Sequence, residues 1–307
     1  MTSEQRPDPL LPGPDGADRP LPPADAEAYR ARLEVEGLSS YVDALLPQVR
    51  TGARLVPAPD GDGTAVGTTR LGGRPDLPTA TAWPDGYDAP LSFVLQVDLA
   101  SLPAELADSG LPTSGLLSFF YDAVEQPWGF EPHDRGSWAV LHSAAGEELV
   151  ARDFPDDLDP DVRYRPLALV AQTVASFPPL ESQEAAAAGI GLDDEVVWER
   201  YERVLGAPRG ATHRLLGHPD ALQGDMQEES QLVSSGISTG GLVPGDDPAR
   251  LAALPGADRW RLLAQVDSTP EATGMVWGDA GRLYFWIRED DLRAGAWDQV
   301  WVVLQCG

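Results

Sequence analysis

The side chains best suited to chemistry are a few aspartates, histidines and glutamines, and most of their local patterns exclude the reactions they first suggest. Asp60-Gly61-Asp62-Gly63-Thr64 has the composition of an aspartyl-phosphate nucleophile loop. That chemistry needs its first aspartate at the end of a buried apolar strand, which Pro57-Ala58-Pro59 cannot form. The run also fails as an EF-hand, with Ala65 at the sixth position and Leu71 at the twelfth. It reads as a turn, with Gly67 to Leu71 as the return arm of a hairpin. Gly236-Ile237-Ser238-Thr239-Gly240 matches the G-x-S-x-G nucleophile elbow, but Gly241 to Gly245 cannot continue as the required helix, and no histidine follows Ser238. It reads as a flexible loop. His213 and His218 are spaced by five, which does not place two rings on one helical face, and His133 lies in the proline-broken loop Glu131-Pro132-His133-Asp134. No metal site is expected from spacing, and no cofactor is implied.

What remains is a pair of echoing segments. Phe93-Val94-Leu95-Gln96-Val97-Asp98 precedes Gly115-Leu116-Leu117-Ser118-Phe119-Phe120-Tyr121, and Leu262-Leu263-Ala264-Gln265-Val266-Asp267 precedes Gly281-Arg282-Leu283-Tyr284-Phe285-Trp286. Each is an apolar strand ending in Gln-Val-Asp, a loop, a glycine and an aromatic strand. Strand alternation puts Gln96 with Asp98 on one face, and Gln265 with Asp267 likewise. Two chemistries follow: either the pairs line a common cleft between two halves, or each Gln and Asp caps its own loop through backbone hydrogen bonds. In the cleft reading, Asp98, Asp267 or Asp279 would act as acid or base with His213 or His218 assisting, because carboxylates in unlike environments can divide those roles. Arg74 is available for an anionic group, and Trp83 and Trp277, beside proline or glycine loops, are the tryptophans expected to line a cleft.

The elements that must carry these residues are mostly short strands. Residues 1–24 are rich in proline and poor in apolar side chains, and read as a disordered leader. A helical lead-in over 25–52 follows, with Tyr29, Leu33 and Val35 and then Tyr41, Val42, Leu45 and Leu46 as its apolar positions. Beyond it, apolar runs alternate with Gly, Pro and Asp. One later helix is predicted from Asp193 to Leu205, where Val197, Tyr201, Val204 and Leu205 form a stripe. The expected fold is α+β: one strand-rich domain over 25–307 containing an internal duplication.

Composition removes several function classes. The 307 residues carry a net charge of −27, all 22 basic residues are arginine, and asparagine is absent. Both missing residues have codons beginning AA, which points to a G+C-rich genome. Without lysine there is no Walker A loop and no pyridoxal or biotinyl linkage. The charge disfavours nucleic acid and favours a basic partner. The single cysteine, Cys306, excludes an internal disulfide framework, and its place beside the C-terminus is expected to fray. No apolar run reaches the length of about 20 residues that spans a membrane, and Met1 to Pro23 lacks a signal sequence, so a cytoplasmic protein is expected.

In order, Leu71-Gly72-Gly73-Arg74-Pro75-Asp76-Leu77-Pro78, Trp83-Pro84, the two Gln-Val-Asp runs, His213-Arg214-Leu215-Leu216-Gly217-His218-Pro219 with Gln223, and Trp277-Gly278-Asp279-Ala280-Gly281 resemble the YwqG-like family, a bacterial group of unknown function. The likeness covers residues 66–307. The family more often carries an aromatic where His218 stands, so no histidine role transfers to that position. The resemblance implies a strand-rich α+β fold without a settled catalytic constellation. It also implies an association with toxin loci, hence an immunity-type or partner-binding role. Three functions follow as expectations: a non-enzymatic module whose acidic face binds a basic protein, an acid–base enzyme using the carboxylates and histidines above, or a small-molecule binder using Arg74, Trp83, Gln96, Gln265 and Trp277.

Overall fold

The structure, a computed structural model, describes residues 20–61, 63–191, 193–241 and 244–307. Most of the leader predicted over 1–24, and Asp62 of the Asp60–Thr64 turn, lie outside the described residues. The strands are β1 (Arg50–Pro57), β2 (Arg70–Leu71), β3 (Asp76–Pro78), β4 (Ser92–Asp98), β5 (Leu116–Tyr121), β6 (Trp138–Ser143), β7 (Leu149–Ala151), β8 (Leu167–Ser176), β9 (His213–Leu216), β10 (Trp260–Asp267), β11 (Arg282–Arg288) and β12 (Trp301–Gln305). Ten of them form one antiparallel sheet in the order β12-β11-β10-β9-β1-β8-β2-β4-β5-β6, while β3 and β7 pair separately.

The sheet curls until its two ends nearly meet. Leu304 N–H donates to Trp128 O at 3.1 Å, Trp301 Nε1 to Gly129 O at 2.9 Å, and Trp138 Nε1 to Val300 O at 2.9 Å. Across this seam the Trp138 and Trp301 rings pack edge to face at 5.0 Å. Inside, Phe119 of β5 meets Phe285 of β11 at 5.1 Å, and both belong to one buried cluster with Leu55, Leu95, Val97, Leu215, Val266 and Leu283. The result is a nearly closed barrel-like sheet, in which closure leaves few free edge groups.

Helices α1 (Ala26–Val35), α2 (Val42–Leu45), α3 (Gln183–Ala187) and α4 (Glu195–Leu205) build a separate apolar cluster on Tyr29, Leu33, Leu45, Tyr201 and Val204, with Phe177 stacked on Tyr29 at 4.1 Å. Asp25 caps α1 by accepting from Ala28 N, and Asp194 caps α4 by accepting from Val197 N. A fifth helix, α5 (Met226–Ser234), packs against β10 and β12. No helix among the described residues is long and apolar enough to cross a membrane.

Two expectations are corrected. Gly67 to Leu71 is not the return arm of a hairpin with β1, because β8 lies between them and pairs with both. Cys306 does not fray: β12 runs up to Gln305 inside the sheet, and the cysteine is 8% exposed.

Candidate functional site

The site begins at Thr68. Arg70 on β2 lies opposite Gln96 on β4, and the chain then reverses through Gly72 and Gly73 at φ +54° and +73°. Glycine suits that reversal, since a Cβ on Gly72 would stand 2.5 Å from Arg165 O. The reversal returns Asp76 to Arg70. Its Oδ2 accepts from Arg70 Nη1 at 2.7 Å, Gln96 Nε2 at 2.7 Å and Gly67 N at 2.8 Å. Gln96 Oε1 in turn accepts from Asp76 N at 3.0 Å, and its amide nitrogen donates to Thr68 O at 2.8 Å. The ion pair is buried, with side chains 2% and 0% exposed.

The other half repeats this arrangement. Arg214 on β9 lies opposite Gln265 on β10, and the reversal uses Leu216 and Gly217 at φ +58° and +76°. Asp220 receives Arg214 at 2.7 Å, Gln265 Oε1 accepts from Asp220 N at 2.9 Å, and Gln265 Nε2 donates to Thr212 O at 2.6 Å. Burial would raise the Asp220 pKa, but the charge and hydrogen bonds of Arg214, with Arg282, hold it below the usual carboxylate range. Register shifts fall at matching places, between Phe93 and Leu95 and between Leu262 and Ala264. Equivalent backbone bonds join Leu99 N to Gly115 O at 3.0 Å and Ser268 N to Gly281 O at 3.1 Å. The sequence carried this signal beyond the Gln-Val-Asp echo: Thr68–Asp76 and Thr212–Asp220 agree at Thr, Arg, Leu, Gly, Pro and Asp.

The halves differ where the reversal ends. In the second, His218 is buried, with Nε2 2.7 Å from Gln48 O and its N–H on Ser176 Oγ at 2.7 Å, so the segment after α2 closes over it. Burial, then the Arg50 charge, depresses its pKa to about 3. In the first half, Arg74 takes this place and opens onto a cavity of about 340 Å³. Arg70, Arg74, Arg163 and Arg165 line that cavity with Phe154 and Tyr164, and no carboxylate among the described residues does.

Two of these four arginines are held by neutral groups. Arg163 donates to Leu158 O at 2.5 Å and Pro155 O at 3.2 Å and lies over the Phe154 ring at 5.7 Å. Arg165 donates to Glu271 O at 2.6 Å and Ala272 O at 3.3 Å. Carbonyls orient these cations without cancelling their charge. Only Arg70, through Asp76, and Arg74, through exposed Asp153 at 2.6 Å, have acidic partners among the described residues.

The other predicted site residues are dispersed. Gln96 and Gln265 are separated by β9, β1, β8 and β2, and each serves its own Arg–Asp pair. Asp98 caps the turn after β4 by accepting from Ala100 N at 3.0 Å. Asp267 accepts from Thr212 N at 2.9 Å and pairs with Arg282 at 3.2 Å, while its own N–H donates to His213 Nδ1 at 3.2 Å. Burial lowers the His213 pKa to about 4. Asp279 is exposed in the turn before β11. Trp277 is not a cleft residue: it is fully buried, edge-on to Tyr121 and Tyr164 at 5.8 Å. Trp83 donates to Leu91 O at 2.8 Å and backs Phe154 at 6.1 Å. Ser238 of the glycine loop donates to Glu131 at 2.6 Å.

A second cavity, about 500 Å³, lies beside α5 and is lined by Asp225, Glu228, Glu229, Thr239 and Arg250. Burial raises Glu229 to about 7, against a hydrogen bond from Thr239, and raises Asp225 to about 6. No cluster of three or more His, Cys, Asp or Glu among the described residues is placed to hold a metal ion.

No curated protein matches the chain. A family model described as a domain of unknown function matches residues 69–306, starting beside Arg70 and covering both Arg–Asp–Gln clusters. The chain therefore belongs to the DUF1963 family.

Proposed function

We propose that this protein is a non-enzymatic binding module that holds a small anionic molecule in the arginine-lined cavity, and that its two halves descend from one duplicated unit. The observation that carries the reading is the presence of four arginines in the lining of one cavity, two of which, Arg163 and Arg165, are held by backbone carbonyls, in a chain of net charge −27. Arginine forks suit carboxylate and phosphate oxygens, and Phe154 and Tyr164 supply the apolar walls of a small-ligand site. The lining favours binding over catalysis, since Thr64 and Tyr164 provide only hydroxyls and burial raises Tyr164 above the usual phenol range. Of the five residues of the acid–base alternative, Asp98, Asp267, His213 and His218 are engaged elsewhere by backbone and arginine groups, and Asp279 is exposed in the turn before β11.

The test is a thermal-shift and calorimetric titration with inorganic phosphate, acetate and ethyl phosphate. A ligand at ten times its Kd should stabilise the fold by about 1.4 kcal/mol, and Arg74→Ala or Arg165→Ala should weaken it about tenfold or more. No stabilisation by any probe, or binding indifferent to both substitutions, would refute the reading.

A second reading, an acidic face for a basic protein partner, draws support from the exposed carboxylates of the 153–161 loop, Asp153, Asp156, Asp157, Asp159 and Asp161. It predicts partner capture that weakens as salt rises; capture unaffected by salt counts against it.

A further inference from the structure

The walls of the first cavity define the body of what it can hold. Of the residues that line it, Arg74 and Arg165 are exposed and stand at its mouth, while Tyr164 is buried and Phe154 half-buried. Each of these two rings is backed by another. Phe154 meets Trp83 edge to face at 6.1 Å, and Tyr164 meets Trp277 edge to face at 5.8 Å, so neither ring can swing away without breaking a second aromatic contact. The heads of Arg163 and Arg165 donate to the carbonyls of Pro155, Leu158, Glu271 and Ala272, none of which lines the cavity. What these two arginines add to the wall is therefore mainly their methylene stems.

An anion without an apolar body gains little in such a place. The net charge of −27 opposes its approach, and Arg70 and Arg74 already have carboxylate partners. A ring supplies what charge does not, through apolar burial and edge or stacking contact with aromatic walls. Resting on the anion-cavity reading above, we infer that the ligand is a small aromatic acid, its ring against Phe154 and Tyr164 and its carboxylate or phosphate at the mouth beside Arg74 and Arg165. The cavity of about 340 Å³ is about twice the roughly 150 Å³ of an apolar protein cavity that takes up benzene, which leaves room for one ring and its acid group.

The experiment titrates the full chain calorimetrically with benzoate, acetate, cyclohexanecarboxylate and benzyl alcohol. Benzoate should bind at least about tenfold more tightly than acetate, the gain from burying one ring. Cyclohexanecarboxylate, of similar bulk but without a π face, should bind about threefold more weakly than benzoate, and benzyl alcohol, a ring without the charge, about tenfold more weakly. Phe154→Leu should weaken benzoate about threefold and leave acetate unchanged; the four probes on the native protein decide the matter if that variant does not fold. Equal binding of benzoate and acetate, cyclohexanecarboxylate as tight as benzoate, or an equal effect of Phe154→Leu on benzoate and acetate overturns the aromatic inference and leaves the anion cavity standing. Benzyl alcohol as tight as benzoate overturns the anion reading, and with it the acid group inferred here. Binding of none of the probes overturns both.

Discussion

Replacing Glu229 by Gln should expose a pH dependence of stability that the native protein conceals. His213 and His218 are buried with folded-state pKa values near 4 and 3. An unfolded imidazole titrates near 6.5, so on acidification the unfolded state takes up these protons first. Their contribution is complete above pH 6.5 and is lost as pH falls through that value toward the folded pKa. At pH 5 the unfolded histidines are about 1.5 units below their pKa and the folded ones remain neutral. Relative to pH 7, each therefore removes about 2 kcal/mol, or about 4 kcal/mol together.

Glu229 and Asp225 act in the opposite sense. Burial raises them to about 7 and about 6, so the folded state takes up these protons first and gains stability as pH falls. From pH 7 to pH 5 the gain is about 2 kcal/mol for Glu229 and about 1 kcal/mol for Asp225. The four groups nearly cancel, leaving a net loss of about 1 kcal/mol. Glu229→Gln keeps an acceptor for the Thr239 hydroxyl but cannot titrate, so its loss should be about 3 kcal/mol. Urea denaturation of both proteins at pH 7, 6 and 5 measures this directly. Other titrating groups are common to the two proteins and drop out of the comparison. Parallel pH curves would show that Glu229 stays ionised when folded and would refute the burial argument.

Two further outcomes follow from the fold. Asp76→Asn and Asp220→Asn should each destabilise the protein by about 3–5 kcal/mol in urea, because each leaves a buried guanidinium without its carboxylate; a change under about 1 kcal/mol would show those arginines to be hydrated. Gly129→Ala should destabilise by at least about 2 kcal/mol, since the residue has φ +83° and the new methyl would collide with Val302 O at the barrel seam; an unchanged urea midpoint would place that seam outside the cooperative fold.

How much of this was legible depended on the distance over which each feature is specified. Tyr29 and Leu33, and Tyr201 and Val204, mark their helices locally, and both are present as Ala26–Val35 and Glu195–Leu205. The Gln-Val-Asp strands and the aromatic strands after them pair as neighbours, β4 with β5 and β10 with β11. The hairpin expected after Asp60 failed because β8, far along the chain, satisfies the edges of both β1 and β2. Leu71-Gly72-Gly73-Arg74-Pro75-Asp76 looks like turn chemistry in one dimension. Its outcome is a buried ion pair because Gln96 arrives from β4 to complete it. The cavity had no sequence signature, since Arg74 and Arg163 come together only through the Leu71–Leu167 register of β2 and β8.

The two halves also show where function should be sought. Features they have in common, the Arg–Asp pair, the glutamine bridge and the positive-φ reversal, are buried in both and serve as scaffold. Chemistry available to solvent lies where they diverge. Arg74 stands where the other half has His218, and Gly72 admits the Tyr164–Arg165 wall where the other half has Leu216. In the second half the chain near Gln48 closes over His218, while in the first a cavity lined in part by arginines stays open. Had Arg74 served only to complete the turn, His218 shows that a side chain capped by a single carbonyl would have sufficed. An arginine half exposed at a cavity mouth adds little to folding, because an exposed pair such as Arg74–Asp153 is worth at most about 1 kcal/mol. On the anion-binding proposal, its contribution is to what the cavity holds.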